Sequence, residues 1–331
     1  MAEQRDKAQI SRSTRIYLAG HTGLVGGAIL RALRARGYEH VLTRSHGELD
    51  LTDQAQTRSF ISDEQPKLVI LAAARVGGIL ANWEYPYQFV QQNLAIELNV
   101  IHEAFRASVK RLVFLGSSCI YPKFAPQPLK EEYLLTGPLE ETNRPYAVAK
   151  IAGIELCRSL NREYGTEYLS LMPTNLYGPG DNFDLQTCHL LPALLRKFHE
   201  AKYPAVDDGE RGGSTSPVVL WGTGKPRREL LYVDDLADAV CLVLERANWA
   251  GVPDGLLNIG TGEDMTIAEL ADLVAQVVGY EGPVKWDTNK PDGTPRKLLD
   301  VSRIKSLGWR PSTSLPAGIQ RTYEWFLENH G

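Results

Sequence analysis

The sequence predicts an α/β fold built on a doubly wound parallel sheet, with a smaller C-terminal α+β lobe. Three observations lead there. Short apolar, β-branched runs alternate with amphipathic segments through the first half of the chain, a glycine-rich turn follows the first of those runs, and the alternation loosens after about residue 179. A chain of 331 residues, 43% of them hydrophobic, is long enough to bury one large α/β core and carry a smaller lobe.

Residues 15–19, 40–43, 67–72, 111–115 and 168–172 read as strands, each apolar or β-branched and bounded by polar or turn residues. Residues 24–36, 86–107, 145–164 and 314–329 read as helices, because their apolar residues recur three and four positions apart. The stretch 207–217 (DDGERGGSTSP) is a loop of charge, Gly and Ser, and short strands and helices follow it. No internal repeat or low-complexity tract interrupts the pattern. Residues 1–14 read as a polar extension, 15–180 as a dinucleotide-binding unit, and 181–331 as mainly a substrate lobe whose segments partly return to the sheet.

Charge and cysteine content exclude several classes of function. Lys and Arg number 36 against 40 Asp and Glu, so a net charge of -4 gives no global attraction to nucleic acid or to an acidic membrane. The first 14 residues carry no apolar run of signal-peptide length, and no later stretch reaches the roughly 18 apolar residues of a membrane span. A cytoplasmic protein without a membrane or nucleic-acid partner is expected. Cys119, Cys157, Cys188 and Cys241 form no CxxC pair, so they read as free thiols in a reducing compartment. Cys188 beside His189 supplies neither the ligand number nor the spacing of a zinc site, and no metal is expected.

Gly20-His21-Thr22-Gly23-Leu24-Val25-Gly26 follows the first strand and opens a helix. Glycines there permit a tight turn and close approach of backbone to a pyrophosphate, and the helix N-terminus offers free N–H groups and a positive dipole end. Gly also ends strands in ordinary βα turns; the position at the first strand of an alternating chain favours a dinucleotide. The second strand ends in Leu42-Thr43-Arg44-Ser45-His46, without the acid that would hold the ribose 2′-hydroxyl of NAD. Arg44 can pair with a 2′-phosphate or stand as a solvated loop charge; absence of the acid points to NADPH/NADP.

Pro145-Tyr146-Ala147-Val148-Ala149-Lys150 contains a YxxxK whose spacing puts both side chains on one helix face. An ammonium near a phenol favours its ionised form, which suits proton exchange with a carbonyl or alcohol oxygen. Such spacing also arises by chance as a surface pair. Its weight comes from Leu115-Gly116-Ser117-Ser118 at the carboxyl end of the fourth strand, where open parallel sheets place ligands. Ser117 has an alternative as a turn or capping residue, but Ser, Tyr and Lys in this order resemble the catalytic order of short-chain dehydrogenases. A redox sensor that binds NADP without turnover would need none of the three.

With these residues in place, the sequence resembles the GDP-L-fucose synthase family of extended short-chain dehydrogenases from Ile16 to Asn329. The resemblance rests on Ala72-Ala73-Ala74-Arg75-Val76-Gly77-Gly78-Ile79, Gly116-Ser117-Ser118-Cys119-Ile120-Tyr121-Pro122-Lys123, Pro173-Thr174-Asn175-Leu176-Tyr177-Gly178-Pro179 and Pro291-Asp292-Gly293-Thr294-Pro295-Arg296-Lys297-Leu298-Leu299-Asp300. It implies a Rossmann-type fold, NADPH, and GDP-4-keto-6-deoxy-D-mannose as substrate, epimerised at carbons 3 and 5 and then reduced at carbon 4 to GDP-L-fucose. It implies Ser117, Tyr146 and Lys150 as the reducing set, and Cys119 with His189 as the acid/base pair of epimerisation. By residue type alone, Cys119 reads as a small buried thiol and His189 as a helix-capping or packing histidine.

The resemblance further assigns cofactor contacts to the 20–26 loop, to Leu115, Gly116, Ser117 and Ser118, to Lys150, to Pro173, Thr174, Asn175 and Leu176, and to His189. It assigns the GDP-sugar to Asn175, Lys197, Trp221, Arg228 and Asp292. Cations can pair with a diphosphate and an indole can cover a base or sugar face. Without the resemblance Lys197, Trp221 and Arg228 read as a solvated lysine, a core tryptophan and a surface arginine. Thr22 stands where many family members carry arginine, which removes one cation from the cofactor side. The motifs barely separate this substrate from a related 3,6-dideoxy sugar giving GDP-L-colitose. The helices at 86–107 and 145–164 resemble the pair through which the group forms homodimers.

Overall fold

The computed structural model describes residues 10–204, 217–246, 248–290 and 292–330; the start of the polar extension and all but the last residue of the 207–217 loop lie outside the described residues. The first half alternates strand and helix: β1 (Ile16–Ala19), α1 (Leu24–Ala35), β2 (Val41–Leu42), α2 (Gln54–Glu64), β3 (Leu68–Leu71), α3 (Ile79–Glu84), α4 (Pro86–Arg106), β4 (Arg111–Leu115), α5 (Arg144–Tyr164) and β5 (Glu167–Pro173). β1 and β3 are buried at every position, as strands covered on both faces must be. The weakly amphipathic α2 escapes a periodicity reading; it is started by Asp53, whose carboxylate accepts the N–H groups of Ala55 and Gln56.

The second half continues through β6 (Asn175–Tyr177), α6 (Leu190–Lys202), β7 (Val218–Trp221), β8 (Arg227–Arg228), β9 (Leu230–Tyr232), α7 (Val233–Arg246) and β10 (Leu256–Ile259). It ends in β11 (Met265–Thr266), α8 (Ile267–Val278), β12 (Val284–Asp287), β13 (Arg296–Lys297), α9 (Ser302–Ser306) and α10 (Leu315–His330). The sheet runs β2, β1, β3, β4, β5, β10, all parallel, so β10 completes it from the far half of the chain. α7 also returns, packing against α1. Strand order reverses between β1 and β3, which opens a crevice at the carboxyl ends of the strands.

Two apolar cores result. One surrounds the six-stranded sheet; the other joins α6, α8 and α10 through Leu195, Phe198, Leu270, Val274, Ile319 and Phe326. Glu229, between β8 and β9 and fully buried, accepts the backbone N–H groups of Gly262 at 2.7 Å and Leu299 at 2.8 Å. Its carbonyl oxygen takes the Thr174 hydroxyl and the Asn175 amide. A buried carboxylate is tolerable only with such donors, each worth about 1.5–3 kcal/mol. Glu229 therefore ties the end of β5 to the small sheets of the lobe. Among the described residues no helix is long and apolar enough to cross a membrane, and no three His, Cys, Asp or Glu side chains are grouped to hold a metal ion.

Candidate active site

The glycine turn leaves no room for side chains. Gly20 has φ +88°, and a Cβ there would lie 2.6 Å from the backbone nitrogen of Ala73 at the end of β3; a Cβ on Gly26 would lie 2.0 Å from the Gly20 carbonyl oxygen. α1 starts at Gly23 with no side-chain cap, so its first-turn N–H groups lack an internal acceptor, and Nδ1 of His21 is buried without a partner. Thr22 and Gly23 are open to solvent. This combination fits a diphosphate against the helix N-terminus. Arg44 is less free than a loop charge: Nη2 bonds Glu64 at 2.8 Å, Nη1 bonds the Thr43 carbonyl, and the guanidinium lies over the Phe60 ring. A 2′-phosphate would share Arg44 with Glu64.

Ser117, Tyr146, Lys150 and Cys119 converge where β4 ends and α5 begins. Ser117 caps the short turn at 118–120, its Oγ accepting the Cys119 N–H at 3.4 Å, and its hydroxyl favours the ionised forms of both the Tyr146 phenol and the Cys119 thiol. Burial pushes the Tyr146 phenol well above its ordinary value, with Cys119 and Glu97 adding to the rise and Ser117 opposing it. Lys150 is fully buried, with Nζ 3.0 Å from the Leu115 carbonyl oxygen and 3.1 Å from Glu97. It sits 5.7 Å from the centre of the Tyr146 ring. The direct counterweight on the phenol is thus Ser117, while the Lys150 charge faces Glu97. The spacing of YxxxK alone does not reveal that partner.

Cys119 is 6% exposed; burial raises its thiol, and Lys297, Ser117 and Lys150 pull it back. His189 stands at the N-cap of α6 without a side-chain cap bond and is exposed at the surface, yet protein surrounds it closely enough that burial, with Lys297, lowers its imidazole. Lys297 on β13 therefore acts on both groups. Its own ammonium is pulled down by burial, with Cys119, Glu140 and Glu229 opposing and Arg228 adding to the fall. Lys297 lies in the 291–300 block with nothing local to mark it as a site residue; only the fold brings it to Cys119.

The lobe residues stand further out. Asn175 spends its amide on the Glu229 carbonyl oxygen at 2.8 Å. Trp221 is 58% exposed, so it is no core tryptophan, and the Lys197 and Lys290 ammonium groups lie 6.0 and 5.2 Å from its ring. Lys197 Nζ also bonds the Val219 carbonyl oxygen. Arg228 is partly buried and bonds its own Arg227 carbonyl and that of Thr294. Asp292 takes the N–H and hydroxyl of Thr223 at 2.8 and 2.7 Å, which fixes the turn after Trp221. An exposed indole flanked by two cations suits the stacking of a base and the pairing of a diphosphate.

The sequence profile of the NAD dependent epimerase/dehydratase family matches residues 16–260. GDP-L-fucose synthase 1 of Arabidopsis thaliana is 54% identical over 318 residues, covering 96% of this chain and 94% of that one. GDP-L-fucose synthase of Escherichia coli (strain K12) is 53% identical over 320 residues, covering 95% and 97%. Among solved structures, a GDP-mannoheptose C4 reductase from Campylobacter jejuni with NADP bound superposes with a TM-score of 0.86 at 39% identity, covering 96% of this chain and 99% of that one.

Proposed function

The chain belongs to the NAD dependent epimerase/dehydratase family, and we infer that it uses NADPH to convert GDP-4-keto-6-deoxy-D-mannose to GDP-L-fucose, inverting carbons 3 and 5 and reducing the carbon 4 ketone. One observation carries this beyond simple reduction: the buried Cys119 thiol lies close enough to the Tyr146 phenol to act on it, and Ser117 acts on both. A reductase needs the phenol; a thiol held beside it is placed for the acidic protons that flank the same ketone.

NADPH, when bound, supplies the hydride that reduces carbon 4. The 20–26 turn holds the diphosphate, and Arg44 the 2′-phosphate. Leu115, Gly116 and Ser118 at the end of β4, with Pro173 closing β5 and Thr174 and Leu176 following it, border the nicotinamide half. Ser117 and Tyr146 hydrogen-bond the carbon 4 oxygen, which polarises the carbonyl, and Tyr146 gives that oxygen its proton as the ketone becomes an alcohol. Before that, Cys119 as thiolate removes a proton beside the ketone and His189 returns one from the opposite face. Lys297 favours the thiolate. Trp221, Lys197, Arg228, Asn175 and Asp292 hold the GDP-sugar. In this reading residues 15–180 serve the cofactor and 181–331 mainly the substrate, with α7 and β10 returned to the first unit. Incubation with the keto sugar and NADPH should consume the two in equal amounts and give GDP-L-fucose by NMR; a product unchanged at carbons 3 and 5, or turnover only of a 3,6-dideoxy sugar, would overturn the assignment.

Arg44→Ala should raise the KM for NADPH by about tenfold or more, the worth of a charge-assisted hydrogen bond, and leave NADH nearly unchanged. Equal effects on the two cofactors, measured in the same titration, would remove Arg44 from the 2′-phosphate.

The same reading extends to a homodimer in the cytoplasm. α4 and α5 lie side by side and expose Leu94, Leu98 and Val148 at 37%, 51% and 43%, an apolar stripe suited to an isologous four-helix contact. All four cysteines are free thiols, which supports a reducing compartment. Sedimentation at micromolar concentration should give a dimer, and Leu98→Glu a monomer; a monomeric unsubstituted protein would refute the contact.

A further inference from the structure

Glu97 is a buried acid that the reaction as described does not use. It sits in the middle of α4, 1% exposed, with its side chain turned toward α5. Its carboxylate stands 3.1 Å from Nζ of Lys150, and neither oxygen makes a well-formed hydrogen bond, so the ammonium is its compensation. The space it fills is kept open by Gly153, where a Cβ would come within 3.0 Å of Glu97 Oε2 and 2.5 Å of the Phe114 ring. A buried ion pair is weak evidence for stability, since apolar side chains of similar volume often serve as well. The pair is explained if the lysine is required by chemistry and the acid by the lysine.

We propose that Glu97 is a positioning residue for carbon 4 reduction: its carboxylate fixes the Lys150 ammonium under Tyr146 and supplies the counter-charge that keeps the Tyr146–Lys150 pair protonated on the alkaline side of the working range. This rests on the reading of Tyr146 and Lys150 given above. The groups that face the pair are few. α5 contributes Tyr146, Lys150 and Cys157, and the turn after β4 contributes Cys119. β4 presents the Phe114 ring, with Lys150 Nζ 4.7 Å from its centre. α2 sends Arg58 to Glu103, further along α4, and not to Glu97.

The sign of the effect follows from electrostatics. Burial pushes the Glu97 carboxyl up to about 7, with Lys150 opposing, so it is ionised before the alkaline limb of the reaction is reached. A negative charge beside the phenol and ammonium disfavours loss of a proton from either, whichever of the coupled groups gives it up. Removing that charge lets the proton leave at lower pH.

The test is the pH profile of kcat for carbon 4 reduction in Glu97→Gln, an isosteric change. The alkaline limb should move to lower pH by about one unit or more, a loss of about tenfold at the alkaline end. Glu97→Asp should return the limb towards that of the unsubstituted enzyme with a reduced kcat. If Glu97→Gln fails to fold, Glu97→Asp carries the test: a changed kcat or limb supports the proposal, and values identical to the unsubstituted enzyme overturn it. A folded Glu97→Gln with an unmoved limb also overturns it. The two readings fail separately, because an unsubstituted enzyme that consumes no NADPH with the keto sugar would sink the function itself, whereas normal turnover with an unmoved limb sinks only Glu97. Deuterium exchange at carbons 3 and 5 should still proceed in both variants, because Cys119 and His189 are unchanged.

Discussion

Tyr146→Phe is expected to reduce carbon 4 reduction by about 10²- to 10⁴-fold, the range carried by a positioned proton donor. The ring keeps its edge-on packing against Phe89, with centroids 6.3 Å apart, so the fold of the cleft should survive and NADPH affinity should change little. Only the transferable proton is lost. Lys150→Ala should behave differently. It removes an ammonium bonded to the Leu115 carbonyl oxygen and leaves Glu97 buried without a counter-ion, so cofactor binding and stability should fall along with turnover. Fluorescence titration with NADPH and single-turnover reduction separate the two outcomes, and near-normal reduction by Tyr146→Phe would remove Tyr146 as the proton donor.

Cys119→Ser and His189→Ala are expected to lose about 10²-fold or more of the exchange of solvent deuterium into the keto sugar without NADPH, while still binding NADPH. A serine hydroxyl does not ionise near neutral pH, so Cys119→Ser keeps the shape of the site and loses the base. The pH dependence follows from the environment of the two groups. Burial raises the Cys119 thiol, so its thiolate grows as pH rises; burial lowers the His189 imidazole, so its protonated form fades as pH rises. Exchange should therefore pass through a maximum. Lys297→Met removes the strongest pull toward thiolate at Cys119 and should move the rise in exchange to higher pH. Unimpaired exchange in both Cys119→Ser and His189→Ala would leave the epimerisation without its acid and base.

The local signals carried much of the fold. β1 to β5 and helices α1, α4, α5 and α10 lie within a residue or two of their sequence readings, because periodicity and the Gly20 turn are properties of neighbouring residues. What escaped depends on distant pairing. The run at Leu256–Ile259 is one short apolar stretch among several after the 207–217 loop until Leu256 lies opposite Ser170 on β5. Arg44 reads as a free cation until Glu64, twenty residues on, comes back to it from the end of α2. Glu97 lies within the predicted 86–107 helix with no local signal to single it out; only the packing of α4 on α5 turns it inward to Lys150. Lys297 is similarly one cation among several in its block until β13 carries it to Cys119. Motifs identify residues that touch ligands directly, whereas residues that act through another side chain become visible only with the tertiary contact.

The most direct measurement of the central claim, that one cleft both epimerises and reduces, is the isotopic pattern of the product formed in deuterated water with unlabelled NADPH. The sugar should be GDP-L-fucose with deuterium at carbons 3 and 5, delivered by acid/base groups that equilibrate with solvent, and protium at carbon 4, delivered by the cofactor. Protium at carbons 3 and 5, or deuterium at carbon 4, would contradict the account.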